Sequence, residues 1–434
     1  MRLKKFLLLI ITFGIVLSGC SNAKETEKTE DGKIIVEFWH GLDGDNALTL
    51  EGLIKDFNEQ SDSIKVEASF QDNVQQQMST VGPTKSAPTV FMSADASYYR
   101  DTAYYSQSGY ITPVEEMMKA DDEFDISTLN ESVVKNQSLD GKLNAMPFNL
   151  FVPLLFYNVE LFEEAGLDPD NPPETFTEIE EAAKSLTSKK VKGFAIPINT
   201  SFIYNLFAIQ NELVFNNDNG RSGVAPTETF INSVTGNNIY TWIDDMNKAG
   251  TYGNYGRTWS NTQLAFSSGE LAMYLDSSAV TGIWLDTLDF EFQTAPLPVP
   301  EGEEWAGVNQ ASGQLWISNK ATDEEQEAGW EFIKYMVSPE VQSEWAASTG
   351  YVPVTPKAAE ISPLKEVYSE HEQFKKAYDA LNNTKPTDAT AGPSIDKMEI
   401  SEQIEQSIEN LLQGKSVKDA LNETEDKINS LLQE

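Results

Sequence analysis

The chain has 434 residues, of which 40% are hydrophobic, and its 68 acidic and 31 basic residues give a formal net charge of −37. A surface this acidic repels phosphate backbones and anionic headgroups, which excludes nucleic-acid binding through a basic patch. The length and apolar content allow a large core, and they favour two domains over one.

The first twenty residues combine a basic start, a short apolar run and a cysteine. Three basic residues fall within the first five positions, the apolar run covers residues 6–16, and Cys20 is the only cysteine of the chain. This order is typical of an export signal, here residues 1–19. The apolar run is too short for a transmembrane helix, which needs about 20 residues.

The stretch LSGC, which ends at Cys20, resembles the lipobox of bacterial lipoproteins. The resemblance implies cleavage before Cys20, a lipid on its thiol and attachment to the outer face of a membrane. A chance cysteine in an ordinary signal peptide is the alternative. Residues 20–32 are otherwise charged and without apolar periodicity, so we expect the lipidated cysteine to be followed by a flexible tether. No thiol then remains for a disulfide, a thiolate metal site or a nucleophile.

The next part of the chain alternates strand-like and helix-like segments. Residues 33–39 are rich in β-branched and aromatic side chains, and residues 64–70 and 88–94 also have strand character. Residues 48–57 carry apolar side chains at helical spacing. Strands and helices that alternate with short connections predict an α/β layer with a parallel sheet.

The middle of the chain continues in the same way. Residues 152–158 and 193–198 predict strands, whereas residues 159–165 and 172–186 predict helices. The tail, residues 395–432, differs because its apolar residues predict two amphipathic helices that are separated at Gly414.

Five stretches resemble the family 1 extracellular solute-binding proteins of ABC importers, in particular the glycerol-3-phosphate-binding type. They are collinear over nearly all of residues 33–434. In chain order they are EFWHGL, FYNVELFEEAGLDPDNPPETFTE, FSSGELAMYLDSSAV, GWEFIKYMVSPEVQSEWAASTGYVPV and LLQGKSVKDALNETEDKINSLL.

The resemblance implies an α/β protein with the two-lobe, type II periplasmic-binding-protein fold and a ligand cleft between the lobes. Lobe one would be residues 33–147, to which residues 312–355 return, and lobe two would be residues 148–311, completed by residues 356–434. The implied protein is a monomer that binds a small solute and delivers it to the transmembrane subunits of an ABC permease. No cofactor is implied.

The resemblance also implies a set of ligand-binding residues in the loops that follow strands. Asp95 takes the place of a glutamate that bonds ligand hydroxyls, and a carboxylate can accept two hydroxyls at once. Phe202 and Tyr204 stand where the relatives place two tryptophans, and aromatic faces suit the C–H faces of sugars. The expected set is His40, Asp95, Phe202, Tyr204, Ser277, Ser278, Ser312, Gly313 and Tyr351. Helix capping is the alternative role of the serines, and core packing is that of Tyr351.

The sequence departs from the relatives in ways that concern the solute. Their C-terminal arginine, which helps to hold phosphate, is missing, and after the signal arginine occurs only at positions 100, 221 and 257. Arginine is the natural bidentate partner of phosphate. We therefore expect a sugar or oligosaccharide, with sn-glycerol-3-phosphate or a glycerophosphodiester as the alternative.

Two other classes of protein fit the sequence less well. A glycosidase needs two carboxylates at a defined separation, and among 68 acidic residues no spacing singles out a pair. The two histidines, His40 and His371, are too far apart in sequence to suggest a metal cluster. A surface adhesin would not require the collinear two-lobe signature. We expect neither catalysis nor a bound metal.

Overall fold

The computed structural model describes residues 24–93 and 100–434, so Cys20 and Asp95 lie outside the described residues. Twelve strands are present in the part of the chain that is described. In chain order they are β1 (Ile34–His40), β2 (Ile64–Phe70), β3 (Val90–Ser93), β4 (Ile111–Thr112), β5 (Ser138–Leu139), β6 (Lys142–Leu143), β7 (Met146–Phe151), β8 (Pro153–Asn158), β9 (Lys192–Ala195), β10 (Leu271–Ser277), β11 (Phe292–Ala295) and β12 (Ala311–Ser318).

Helices surround these strands. They are α1 (Gly44–Gln60), α2 (Val74–Val81), α3 (Arg100–Gln107), α4 (Val114–Ala120), α5 (Glu131–Gln137), α6 (Val159–Glu164), α7 (Phe176–Leu186), α8 (Thr200–Ala208), α9 (Asn216–Gly220), α10 (Val234–Ala249), α11 (Trp259–Ser267), α12 (Thr281–Thr287), α13 (Asp323–Met336), α14 (Pro339–Thr349), α15 (Leu364–Glu370), α16 (Glu372–Asn382), α17 (Met398–Leu412) and α18 (Val417–Leu432). None of these described helices is long and apolar enough to cross a membrane.

The first sheet has the strand order β2-β1-β3-β12-β4, and β7 also pairs with β12. β1 runs parallel to β2 and β3, as the alternation of strands and helices predicts. β12, which comes from a distant part of the chain, is antiparallel to β3, β4 and β7. Val36 and Phe38 are fully buried on one face of β1. The Phe38 ring packs against the Phe332 ring of α13, with the ring centroids 5.3 Å apart. The sheet is therefore mixed, with a parallel half that the sequence predicts.

The second sheet has the order β11-β8-β10-β9. β8 is antiparallel to β10 and β11, whereas β9 is parallel to β10. Every residue of β8 is buried, which explains why its sequence is continuously apolar rather than alternating. The Phe156 ring lies between those of Tyr274 and Phe292, at 5.6 and 6.0 Å.

The chain passes between the two sheets at Val152, which separates β7 from β8. We expected the first lobe boundary at 147/148. The pairing of β7 with β12 instead continues to Phe151, opposite Ala311. The first sheet therefore keeps four residues more than expected, because those residues complete the β7–β12 ladder. β12 starts at Ala311, and the expected return of the chain to lobe one at residue 312 stays a prediction.

The predicted tail helices are confirmed as α17 and α18. Ile404 and Leu411 of α17 and Leu421 and Ile428 of α18 are buried at the spacing that the sequence shows. Gly414, between the two helices, has a φ of 98°, a left-handed angle that favours glycine.

Residues 24–32, the N-terminal segment, differ from the expected flexible tether. The Lys24 Nζ atom lies 2.9 Å from the Glu325 Oε2 atom, and the backbone amide of Glu27 donates to Glu325 Oε1 at 3.1 Å. Glu325 is 1% exposed and also closes the capping box of α13 with Thr322. The segment is held by polar bonds and not by apolar burial, so hydrophobic periodicity gives no sign of it.

Glu325→Gln should lower the free energy of unfolding by about 1–2 kcal/mol at neutral pH, because an amide replaces a charge-assisted acceptor. Burial by itself raises the pKa of Glu325, but hydrogen bonds from Lys24 and from the amides of Thr322 and Glu27 outweigh it and hold the pKa below its usual value. The contribution of the carboxylate is thus present at neutral pH and lost as the pH falls through this lowered pKa. Urea unfolding at pH 7 and at about pH 3 measures both effects.

Glu324→Gln is the matched control for this prediction. Glu324 is the preceding residue of α13 and pairs with Lys28 at 2.8 Å, but its side chain is 56% exposed. An exposed pair contributes about 0–1 kcal/mol. Equal effects of the two substitutions would show that the N-terminal segment is not held by Glu325.

Candidate functional site

A pocket lies where the chain passes between the two sheets, and we call it the crossover pocket. The ends of β7 and β10 and the starts of β8 and β12 contribute to it, together with α8 and α11. Its lining residues are Phe151, Pro153, Ser201, Phe202, Asn205, Trp259, Ser277, Asn309 and Ala311. Ligands of open α/β folds bind in such crevices, where loops at strand ends converge.

Two aromatic side chains form one wall of the crossover pocket. The rings of Phe202 and Trp259 meet edge to face, with centroids 5.1 Å apart. Phe202 lies in the first turn of α8, a helix capped by the side chain of Asn199, and Trp259 is the first residue of α11. Phe151 extends the aromatic surface toward lobe one, where its ring lies 6.1 Å from that of Tyr351.

Neutral hydrogen-bonding groups form another part of the wall. The Asn205 side chain donates to Asn309 Oδ1 at 2.9 Å, and the backbone amide of Asn309 donates to Asn205 Oδ1 at 2.9 Å. The Ser277 hydroxyl accepts from the amide of Ala279 at 3.2 Å and caps a short 3-10 helix. Among the described lining residues, none carries a charged side chain.

The expected serine pair is divided between two roles. Ser277 lines the crossover pocket, but Ser278 is 1% exposed and does not. Ser278 instead donates its amide to the Val152 carbonyl at 2.8 Å and accepts from the Val152 amide at 3.1 Å. This corrects the expectation for Ser278, because both of its bonds hold the passage between the sheets.

Three of the expected residues of lobe one, Tyr351, Ser312 and Gly313, lie near Phe151. Burial raises the pKa of Tyr351, while a hydrogen bond with Asn149 acts in the opposite direction. Ser312 accepts from the Gln137 side chain at 2.9 Å. Gly313 pairs with Asn149 in the β7–β12 ladder. These residues adjoin the pocket without appearing in its lining.

His40 and Tyr204 lie in the interior, which differs from the expected ligand contacts. His40 is 4% exposed between the rings of Phe38 and Phe70, and burial lowers its pKa, so the imidazole is neutral near pH 7. Tyr204 is 5% exposed, and its ring packs edge-on against Phe215 at 6.1 Å. Burial raises the pKa of Tyr204. Sequence position alone cannot tell which face of a strand or helix a side chain occupies.

Trp259 is one of seven pocket residues that the expected set did not contain; the others are Phe151, Pro153, Ser201, Asn205, Asn309 and Ala311. The Trp259 indole Nε1 donates to Asp276 Oδ1 at 2.9 Å, and Gln263 of the same helix donates to Asp276 Oδ2 at 3.0 Å. The Asp276 carboxylate is fully buried, and burial raises its pKa to about 6. A tryptophan at the first position of a helix was the available signal, but its partner lies 17 residues away.

Within residues 24–93 and 100–434, no group of histidine, cysteine, aspartate and glutamate side chains is arranged to hold a metal ion. The chemistry of the crossover pocket is therefore that of aromatic faces, amides and hydroxyls. Such groups bind and orient a neutral polar molecule.

Comparison with known proteins identifies the family, because residues 52–376 match the family model of bacterial extracellular solute-binding proteins. The chain belongs to this family. It is thus a solute-binding protein of an ABC importer, and it acts outside the cytoplasm on a small-molecule solute together with permease components.

Two curated relatives are sn-glycerol-3-phosphate-binding periplasmic proteins. The protein of Yersinia pseudotuberculosis is 27% identical over 396 residues, which cover 89% of each chain. The Escherichia coli protein is 26% identical over 434 residues, which cover 97% of this chain and 96% of the relative.

Solved structures of sugar-binding proteins and of a relative bound to glycerophosphocholine share the fold. The cyclic α-maltosyl-1,6-maltose-binding protein of Arthrobacter globiformis has a TM-score of 0.76 at 22% identity, covering 92% of this chain and 99% of its own. The sugar-binding protein MalE of Xanthomonas citri has a TM-score of 0.75 at 20% identity, covering 92% and 97%. UgpB of Mycobacterium tuberculosis in complex with glycerophosphocholine has a TM-score of 0.73 at 17% identity, covering 92% and 98%. These matches confirm the expected two-lobe α/β fold.

Gly313→Ala should destabilise this solute-binding protein by about 1–3 kcal/mol, the usual cost of overfilling a packed site. A Cβ atom at position 313 would lie 1.9 Å from Asn149 Oδ1, so β12 or the Asn149 side chain must shift. Urea unfolding measures the change. Gly52→Ala is the matched control, because a Cβ atom there meets nothing within 4 Å and α1 gains about 0.5–1 kcal/mol. A Gly313→Ala variant as stable as wild type would contradict the tight packing of the Asn149 side chain against position 313.

Proposed function

We propose that the protein captures a sugar or oligosaccharide in the crossover pocket and delivers it to its membrane permease. The observation that carries the proposal is the lining of the pocket, in which aromatic rings lie beside neutral amides and a hydroxyl. None of the described lining residues has a charged side chain. The rings of Phe202 and Trp259 suit the C–H faces of a sugar. The amides of Asn205 and Asn309 and the hydroxyl of Ser277 suit its hydroxyl groups.

The distribution of arginine supports a neutral solute. The Arg257 guanidinium donates to Glu409 Oε2 at 2.8 Å, and Arg221 donates to the carbonyls of Asn136 and Ala391 at 2.7 Å each. Both described guanidinium groups are thus engaged away from the crossover pocket. Since phosphate is held best by a bidentate arginine, an anionic solute is favoured less than a sugar.

A second candidate solute is sn-glycerol-3-phosphate or a glycerophosphodiester. The curated relatives named above bind sn-glycerol-3-phosphate, and a structural neighbour holds glycerophosphocholine. The polyol part of such a solute would meet the same amides and hydroxyl as a sugar. Asp95, which we retain as a hydroxyl acceptor in this proposal, serves either class of solute.

Binding would act through a shift toward a closed arrangement of the lobes, because a solute that touches both lobes binds best when they are near one another. The passages at Val152 and before Ala311 are the places where the lobes can turn. We further propose that the protein is not an enzyme and that it works as a monomer with one solute in the pocket.

Trp259→Ala should weaken binding of the preferred solute by about tenfold, which corresponds to about 1.4 kcal/mol of lost contact. The solute is found first by a thermal-shift screen of neutral sugars, polyols, glycerol phosphates and glycerophosphodiesters, since saturating binding raises stability. Titration calorimetry then compares wild type with Trp259→Ala. Trp305→Ala is the control, because Trp305 is also a half-buried tryptophan but does not line the pocket.

Stabilisation by glycerol phosphates and by no neutral sugar would overturn the sugar part of the proposal. If Trp259→Ala and Trp305→Ala lower the solute affinity equally, the crossover pocket is not the binding site. A large loss for Trp259→Ala alone, with a sugar as the preferred solute, supports both parts.

We propose that the protein is held at the outer face of the membrane by a lipid on Cys20. Cys20→Ala should then block processing or release the protein from the membrane fraction, because a single residue carries the anchor. Fractionation and mass spectrometry of the mature N-terminus measure the outcome. Membrane retention with normal cleavage in the variant would contradict the anchor, and Ser18→Thr serves as a control substitution within the same stretch.

A further inference from the structure

A buried carboxylate lies directly behind the crossover pocket. Asp276 is the sixth residue of β10 and is fully buried. Its Oδ1 atom accepts from the indole of Trp259 at 2.9 Å and from the backbone amide of Ser277 at 2.7 Å. Its Oδ2 atom accepts from the Gln263 side chain at 3.0 Å. Two of these three donors, Trp259 and Ser277, line the pocket.

This arrangement is costly for a purely structural group. A buried carboxylate loses its hydration, and a charged partner normally compensates for that loss. No described lysine, arginine or histidine forms an ion pair with Asp276, so hydrogen-bond donors alone hold the charge. A neutral side chain could fill the same space at lower cost, but it could not accept from three N–H donors together.

We infer that Asp276 is a positioning residue of the crossover pocket, whose carboxylate holds the Trp259 indole and the Ser277 backbone in the arrangement that binds solute. The inference rests on the proposed function, because it concerns solute binding in the same pocket. Trp259 and Gln263 are four residues apart and so project from one face of α11. One carboxylate thereby ties α11 to the end of β10, which are the two elements that form this side of the pocket.

The charge state of Asp276 controls the strength of its hydrogen bonds to Trp259 and Ser277. Burial raises the pKa of Asp276 to about 6, although hydrogen bonds from four groups act to lower it, namely those of Gln263, Ser277, Tyr274 and Trp259. Protonation turns one carboxyl oxygen into an O–H donor and removes the negative charge, so the hydrogen bonds from Trp259, Ser277 and Gln263 are no longer charge-assisted and become weaker. Solute affinity should therefore fall as the pH falls through about 6.

The neighbouring elements add little charge to this site. β8 presents Leu154 opposite Asp276, α7 buries only apolar side chains, and α11 presents the neutral Trp259 and Gln263. Tyr274, on the same strand, is the titratable neighbour, and its side chain is hydrogen-bonded to Asp276. Burial raises the pKa of Tyr274 well above the usual value, so it stays protonated and acts as a donor to the carboxylate. Asp276 is thus the group in this cluster that titrates between pH 5 and 7.

The free energy of unfolding should respond to acid in the opposite direction from solute affinity. The pKa of Asp276 is higher in the folded protein than in the unfolded chain, where an aspartate titrates near about 3.9. Between these two values the folded state binds the additional proton, so acid stabilises the fold through this group. A residue with only a structural role would not combine weaker solute binding with this stabilising contribution.

Calorimetry of the preferred solute at pH 7.5 and pH 5.0 tests the inference. For wild type we expect the solute affinity to be about tenfold lower at pH 5.0 than at pH 7.5. At pH 5.0 only about a tenth of the molecules keep an ionised Asp276. Asp276→Asn should bind about tenfold more weakly than wild type at pH 7.5 and change little at pH 5.0. Glu180→Gln is the matched control, because burial also raises the pKa of Glu180, on the outer side of α7, and its removal should leave the wild-type pH profile intact.

A second measurement needs no solute. The ¹H–¹⁵N resonance of the Trp259 indole, identified by its loss in Trp259→Phe, should shift with a midpoint near pH 6 in wild type and not in Asp276→Asn. If this resonance titrates but no screened solute binds, the proposed solute class is wrong and the hold of Asp276 on Trp259 stands. If the resonance does not titrate, or if wild type and Asp276→Asn show the same pH profile of affinity, the inference is overturned.

Discussion

The pair of hydrogen bonds between Ser278 and Val152 is the constraint on which the arrangement of the two lobes depends. Val152 is the one residue between β7 and β8, and Ser278 both donates to its carbonyl and accepts from its amide. Because β7 pairs with β12 and β8 pairs with β10, this contact brings the ends of four strands together. Four of the nine residues that line the crossover pocket lie at those ends, so the position of the passage helps to set the shape of the pocket.

Charge is distributed so that the pocket differs from the rest of the molecule. The chain carries a formal net charge of −37, yet the described lining of the crossover pocket is uncharged. An acidic surface repels anionic solutes, whereas aromatic faces and amides do not depend on solute charge. Asp276 brings a negative charge close to the pocket but keeps it one layer behind the lining, where it acts on protein groups. This combination favours a neutral, hydroxylated solute.

Polar contacts between distant residues explain the parts of the structure that local patterns did not predict. The N-terminal segment is joined to α13 by Glu325, a residue about 300 positions away in the chain. Asn205 and Asn309 bond each other across 104 positions. Such pairs leave no periodic signal, since a side-chain bond needs only two residues in the right place.

The sequence by itself determined those helices and strands in which burial of one face imposes a period that can be read directly. The tail helices, the parallel half of the first sheet and the continuously apolar strand β8 are examples, and the family motifs added the two-lobe fold. For the site, the structure places Phe202 and Ser277 in the lining of the crossover pocket, and their contact with solute stays a prediction. Only the tertiary structure decided that His40, Tyr204 and Ser278 face the interior and that Trp259 belongs to the pocket. The physical reason is that the orientation of a side chain and the identity of its partner depend on which elements pack together, and those elements are distant in the chain.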